Sequence, residues 1–372
     1  MYLWLLFLTA AEIGSIVQRE YLRRGFFVRA NTDINLRLLF VLMGGIGLFG
    51  LTGSAFAQNL QNFEPALGLS GGVVTPSAHV TADESWLMSF SVNRARQPLV
   101  FREDNAEIAE SFIDSQIGFD LGVTYGLTSA LQLSLGLPFG YVSGTTLSEH
   151  GGDGYALGDA RFAGQWRFIG GSESMMTIAL SLDVAAPTGH SERFYGASGV
   201  TVSPRIILQA DLAEASLLGS AGLRYRSTTD KIENVDLANE FLYSAAAVVP
   251  LDWDDVSLVA ELFGSTPLQA VSDAEAAYPC EALLGLRYVH SAISVTAGTA
   301  FAINPDRGVP SNRLFFSLVY TQPNSQVPSA VTPTVAEPEA AAEPEAAAEP
   351  EAAEEEPEAA EEEPEAAAEP EA

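Results

Sequence analysis

"LQLSLGLPFGY", residues 131–141, alternates strictly over its first nine residues. Leu131, Leu133, Leu135, Leu137 and Phe139 share one face, and Gln132, Ser134 and Gly136 share the other. Such alternation is the mark of a strand with two unlike faces. In a soluble sheet the leucines pack a core. In a membrane barrel they face lipid, and the small polar face lines the interior. One strand does not decide between these, so the rest of the chain must.

Further short alternating segments follow, near 84–93, 116–126, 129–139, 159–168, 175–186, 199–210, 215–227, 239–249, 256–264, 280–290, 292–302 and 312–321. Twelve is an even number, as in single-chain bacterial outer-membrane barrels. The connections alternate as well. Long stretches such as 140–158, "PTGHSERFYGAS" and "STTDKIENVDLA" are followed by short ones such as "GGSESM", "DLAE" and "PLDWDD". A soluble sandwich has no reason to do this, whereas a membrane barrel has short periplasmic turns and long outer loops. The expected fold is therefore all-β: a transmembrane antiparallel up-and-down β-barrel of about twelve strands over 84–321, with both ends in the periplasm of a bacterial outer membrane. Its leucine face looks outward.

The aromatic residues fit that frame. Trp86, Tyr125, Trp166, Tyr288 and Tyr320 fall toward the periplasmic rim, and Phe139, Tyr141, Tyr225 and Tyr243 toward the outer rim. Two girdles are expected where such rings meet lipid headgroups. The inward phase carries charge of both signs. Arg161, Arg167, Arg205, Arg224, Arg226 and Arg287 share it with Asp120, Asp183, Glu240, Glu261 and Glu281. They line a polar conduit, or they form ion pairs that fill the lumen. Twelve strands lie between the eight that side chains can fill and the sixteen that leave a channel.

The ends of the chain have a different character. "INLRLLFVLMGGIGLFGLTGSAFAQ" has Arg37, an apolar stretch and Ala55-Phe56-Ala57, the parts of a secretory signal peptide, with cleavage expected between Ala57 and Gln58. A membrane anchor is the alternative. A second apolar stretch, "MYLWLLFLTAAEIGSIV", lies upstream, and a start site assigned too early accounts for it. Residues 1–57 are thus an extension plus signal peptide, and 58–83 a periplasmic segment. Residues 322–372 form an acidic tail. Sixteen glutamates lie beyond residue 336, and a proline every six or seven residues stops helix growth. Without large apolar residues, the tail is expected to be disordered and periplasmic.

Charge excludes one class of function. The formal net charge is -30 and Lys231 is the single lysine, so there is no basic face for nucleic acid. The lone Cys280 rules out an intrachain disulfide and a cysteine-based zinc site. His79, His150, His190 and His290 sit in separate connections without metal-ligand spacing, and "EHGGDGYALGD" lacks the spacing of a calcium loop. His150 and His190 have serines nearby, but loops are rich in serine. No enzyme, cofactor or metal is expected.

"GYALGDARFAGQWRFIGG" and "DVAAPTGHSERFYGASGVTVSPRIILQ" carry a Leu157-Gly158-Asp159 turn before a strand and a Pro187-Thr188-Gly189 turn after one. On these motifs, residues 60 to 321 resemble outer-membrane barrels of the "MetA-pathway of phenol degradation" transporter type. They equally resemble the barrel halves of OmpA-family proteins with a Pro/Ala-rich linker. The resemblance implies passive or gated movement of small solutes through the lumen. The alternative is a structural barrel whose tail contacts periplasmic partners. It implies outer-membrane lipid and the barrel-assembly machinery as partners. OmpA-family linkers lead to a peptidoglycan-binding domain, which does not follow the tail here, so cell-wall anchoring by this chain alone is not expected. The plain physical reading of both motifs is that Gly and Asp serve tight backbone and Pro-Thr-Gly ends a strand.

Overall fold

The computed structural model describes residues 62–322 except 103–107, 148–149, 172–173, 229–230, 233–234, 237–238, 269–277 and 306–307. The expected signal peptide, its Ala57/Gln58 cleavage point and tail residues 323–372 lie outside the described residues.

Twelve long strands close into one antiparallel barrel. They are β1 (Trp86–Arg102), β2 (Ile108–Thr128), β3 (Leu131–Gly144), β4 (Ala160–Ile169), β5 (Met176–Ala186), β6 (Thr201–Leu212), β7 (Ala215–Arg226), β8 (Glu240–Pro250), β9 (Val256–Pro267), β10 (Cys280–His290), β11 (Ile293–Asn304) and β12 (Asn312–Thr321). Each pairs with its neighbour in sequence, and β12 returns to β1 in the register Leu87↔Thr321 to Arg96↔Asn312. Closure leaves no open sheet edge around the belt, which a span through lipid requires. A short extra strand, Gly154–Leu157, extends the outer part of β3 in the register Phe139↔Leu157. Among the described residues the helical content is one 3-10 turn, Ser191–Arg193.

The faces are as the alternation expects. On β3, Gln132 and Ser134 are buried and Leu137 is 46% exposed. On β12, Arg313 and Phe315 are buried while Leu314 is 60% exposed. The outside is therefore a belt of Leu, Val, Phe, Ile and Met. An apolar surface that encircles a closed barrel is at home in lipid and not in water. Turns at one end are tight: 129–130, 213–214 and 291–292 join adjacent strands, the last with Ser291 at φ 54. The other end carries the connections 145–159, 187–200, 227–239 and 268–279.

The first hairpin differs from expectation. Strands were placed at 84–93 and 116–126 with about twenty residues between them. Instead β1 and β2 continue as a paired ribbon past the apolar belt, as far as Arg102↔Ile108. Above the belt, Arg94 and Arg96 replace apolar residues on the outward face, so the alternation ends while the backbone ladder continues. Register shifts around Pro98 and Gln97 (φ 52) mark where the ribbon bends.

A second difference lies inside. Residues 58–83 were expected outside the barrel, as a periplasmic segment. The described part of that stretch, 62–83, runs within the lumen from the long-loop half to the tight-turn end, where it enters β1. Phe63, Val73, Val74, Thr75, Ala78, His79 and Thr81 are all buried. The physical reason is that the lumen wall is built to bind main chain, as described next.

A plugged lumen as the candidate functional site

The inward phase of the strands places amides and charges along the plug. At the tight-turn end, Gln132 Oε1 accepts the N–H of Thr81 at 2.7 Å, and Gln165 Nε2 donates to the carbonyls of Ser77 and His79 at 2.9 and 3.1 Å. Gln209 Oε1 accepts from Ser77 Oγ and the N–H of Ala78 at 2.8 and 3.0 Å. The ring of His79 meets Asp211 at 2.7 Å. Three wall glutamines from β3, β4 and β6 thus hold the plug's backbone where a partner strand would otherwise satisfy it.

The centre is held by charge. The Glu261 carboxylate accepts the N–H groups of Val73, Val74 and Thr75, the latter two at 3.0 Å. Arg287, on the adjacent strand β10, donates to the carbonyls of Gly71 and Gly72 at 2.8 and 3.1 Å, and to Thr296 Oγ1 at 3.1 Å. One turn of main chain is clasped by an anion on its donors and a cation on its acceptors. Glycine is required there. A Cβ on Gly72 would lie 2.4 Å from the Glu261 carboxyl carbon, and one on Gly71 2.6 Å from the backbone N of Ser77. Apolar packing backs the clasp, with Phe63, Val73 and Val74 set against Leu218, Val248, Val259, Phe263, Leu283 and Phe315.

Toward the long-loop end, Arg313 forms a bidentate pair with Glu281, both bonds 3.1 Å, and donates to Asn93 at 2.6 Å. Its guanidinium stacks 4.8 Å over the ring of Phe63. Arg224 bridges Glu64 of the plug (2.9 Å) and Glu240 of β8 (3.5 Å), and Arg226 also reaches Glu240, at 3.0 Å. Arg161 donates to the carbonyl of Pro65 at 3.1 Å and lies 3.9 Å from Asp183. Small cavities lie beside this cluster, among them two of about 30 and 40 Å³, the first reaching down to Gln132 and Gln165. Each has room for a water or two and not for a solute.

The long connection 187–200 folds into this end of the barrel. Phe194 and Tyr195 pack on Ile113, Val142 and Ala156, and Tyr195 Oη donates to the carbonyl of Phe139 at 2.9 Å. The two sequence motifs meet at its base. Asp159 accepts the N–H groups of Gly189 (3.0 Å) and Ala197 (2.7 Å), and Thr188 Oγ1 accepts that of Ala160 at 2.9 Å. Burial pushes the Asp159 carboxyl up to about 6, against the pull of those N–H groups. The Gly-Asp and Pro-Thr-Gly motifs are therefore two halves of one loop clasp.

Asp120, Asp183, Arg205 and Arg224 face the cavities, as does Arg161. Glu240, Glu261, Glu281, Arg226 and Arg287 are inside as well, in the pairs and clasps above. Arg167 lies at the rim. It shares the inward phase, but its Nη2 turns to the carbonyl of Ser129 at 2.6 Å, on the tight turn at the rim, because its strand ends there. Among the aromatics, Trp86, Trp166, Tyr288, Tyr320 and Tyr225 are exposed on the outer surface. Trp86 packs on Tyr125 (4.5 Å), Phe139 stacks on Phe119 (5.1 Å), Tyr141 meets Tyr155 edge-on, and Tyr243 stacks beside Phe241. Arg313, Gln165, Gln209, Asp211 and Glu64 were not selected from the sequence. His190 is a loop tie, its Nδ1 accepting the N–H of Leu157 at 2.9 Å. Among the described residues, no cluster of His, Cys, Asp and Glu could hold a metal ion.

The fold and site define a class: a closed twelve-stranded β-barrel with an apolar outside and a polar lumen occupied by its own N-terminal segment. Among solved structures, the chain is similar to an outer membrane channel from Pseudomonas putida F1, with a TM-score of 0.55 and 14% identity over 66% of this chain and 98% of that one. It is also similar to the NanC porin, with a TM-score of 0.44 and 9% identity over 63% of this chain and 98% of that one. At these identities the likeness is one of fold. No family model matches the chain, and no curated protein matches it in sequence.

Proposed function

We propose that this chain is an outer-membrane barrel that passes small solutes through its lumen when the segment 62–85 is displaced. The observation that carries this reading is that the lumen is filled by a segment that is no part of the wall. Wall charges paired only with each other would make a permanent filling. A wall that spends its glutamines, Glu261 and Arg287 on the backbone of a tethered segment makes a removable one. The outer membrane is the location that suits the apolar belt, with lipid around it and the barrel-assembly machinery to insert it. Short turns and both barrel ends then face the periplasm, and the two aromatic groups sit at the lipid interfaces. The fold likeness to an outer membrane channel supports the same reading.

Conductance in a planar bilayer tests it. The refolded full chain is expected to be silent or to flicker, and a variant lacking residues 62–80 to conduct steadily. If the deletion variant folds, as judged by its melting transition, and stays silent, the barrel has no transport role. The filled lumen then supports the second reading, a structural barrel.

A further inference from the structure

The chamber at the outer end of the plug holds a cation with an unused donor. Arg205, on β6, lines both of those cavities, and its buried Nε has no hydrogen-bond partner. The ion pairs of this chamber belong to its neighbours Arg161 and Arg224. A buried donor without an acceptor is costly, and the nearby Asp183 and Glu64 offset the charge of Arg205 without engaging its Nε. Two carboxylates stand among these three arginines: Asp183 of the wall, 3.9 Å from Arg161, and Glu64, 2.9 Å from Arg224 Nη2, which is the one the plug brings. Glu64 belongs to the plug and is the only acidic residue between positions 62 and 82. Elsewhere the plug is held largely through its backbone. Here it presents a carboxylate to an arginine cluster.

We infer that Glu64 is a tethered stand-in for a small carboxylate solute, which binds to Arg161, Arg205 and Arg224 and competes with the plug. Guanidinium forks match a carboxylate in plane and in charge, and Arg205 offers a fork not yet engaged. Asp120 and Asp183, on the same wall, leave acceptors for hydroxyl or amino groups of the solute. The class is therefore a small hydroxy- or amino-carboxylate. With Glu64 in place the cavities hold only water, so the solute enters as Glu64 leaves. Tethering gives Glu64 an effective concentration in the millimolar range or above, which sets the competition the free solute must overcome. The inference deepens the transport reading and rests on it for its biological sense, but the binding site stands or falls alone.

The test is calorimetric titration of L-malate into the refolded full chain in detergent, with the neutral diamide of malate as control. Glu64→Gln removes the competing charge and is expected to tighten malate binding at least tenfold over the wild type. Adding Arg205→Ala should return that affinity to the wild-type level or below, and the diamide should not bind to any form. Equal affinity in wild type and Glu64→Gln, or tight binding that survives loss of Arg205, overturns the proposal. If Glu64→Gln does not fold, Arg205→Ala alone decides, since that side chain, unlike Arg161 and Arg224, makes no hydrogen bond to the plug. Malate affinity must then fall at least tenfold from the wild type, and an unchanged value overturns the proposal. Calorimetry reads binding whether or not the lumen conducts. Tight malate binding in a barrel whose plug deletion stays silent sinks the transport reading and leaves the site. A conducting barrel that ignores malate does the reverse.

Discussion

Replacing Glu261 with alanine tests the central clasp of the plug. Its carboxylate is 5% exposed and accepts three consecutive N–H groups, from Val73 to Thr75. Removing it leaves three buried donors without a partner, each worth about 1–3 kcal/mol. It also leaves the guanidinium of Arg287 without its nearest anion, and breaking a buried charge arrangement from one side costs about 3–5 kcal/mol. These costs overlap, because one carboxylate serves both, so about 3–5 kcal/mol is the expected loss of plug docking. The backbone ladder of β9 is untouched, so the plug should loosen while the barrel stands. At roughly 1.4 kcal/mol per factor of ten, the amides of 73–75 should exchange with solvent about a hundredfold to a few thousandfold faster. Hydrogen exchange read by mass spectrometry on the refolded chain measures this, with the amides of β8 and β9 as internal reference. Unchanged protection at 73–75 would refute the clasp. Equal loss in the strands would show that plug and wall unfold together. Glu261→Gln, which keeps one acceptor oxygen, should fall between the alanine variant and the wild type.

Three further outcomes are expected. Arg313→Ala leaves Glu281, which is 0% exposed, as a buried charge without its bidentate partner; a loss of about 3–5 kcal/mol should appear in urea unfolding, and Arg313→Lys should recover only part of it. Leu135→Arg places a charge in the outward apolar belt between Val123 and Phe162; at mid-bilayer it should cost about 2–4 kcal/mol in vesicle refolding, and a cost near zero would remove β3 from the lipid face. Asp159 carries a folded-state pKa of about 6 against an ordinary 3.8, so its linkage contribution is complete below about pH 4 and is lost as pH rises through about 6. The clasp under loop 187–200 should then weaken by at most roughly 3 kcal/mol. Nicking of that loop by a protease, corrected for the protease's own pH profile, should be faster at pH 7.5 than at pH 5, and Asp159→Asn should flatten the difference.

Much of the wall was legible in the sequence because lipid and lumen impose opposite demands on alternate residues. "LQLSLGLPFGY" records both, and the same phase put Arg224, Glu240, Glu261, Glu281 and Arg287 on the inner side. The extent of β1 and β2 was not legible, since beyond the belt no apolar environment marks the outward face and pairing alone continues the strands. Arg313 lies within the strand read at 312–321, in phase with Phe315 and Ser317, so its inward place was legible and was missed. The plug was the largest omission. "FEPALGLSGGVVTPSAHVTA" has no helical or strand period, and its burial depends on wall side chains that grip its main chain. One signal was present: between Pro65 and Ala82 the segment has no Asp, Glu, Lys or Arg, which is unlike a solvated linker.

That main-chain grip has an evolutionary consequence. Gln132, Gln165, Gln209, Glu261 and Arg287 recognise carbonyls that every residue type provides and N–H groups that all but proline provide. Side chains along most of the plug are therefore free to drift, while the receiving groups on the wall are not. Related chains should keep a polar wall opposite a plug of poorly similar sequence, with fixed points where the backbone needs glycine at 71 and 72 and where the side chains of Phe63, Glu64, Ser77 and His79 meet the wall. A search that aligns the N-terminal segments would miss such kinship, and one that aligns the inward-facing positions of the barrel would find it.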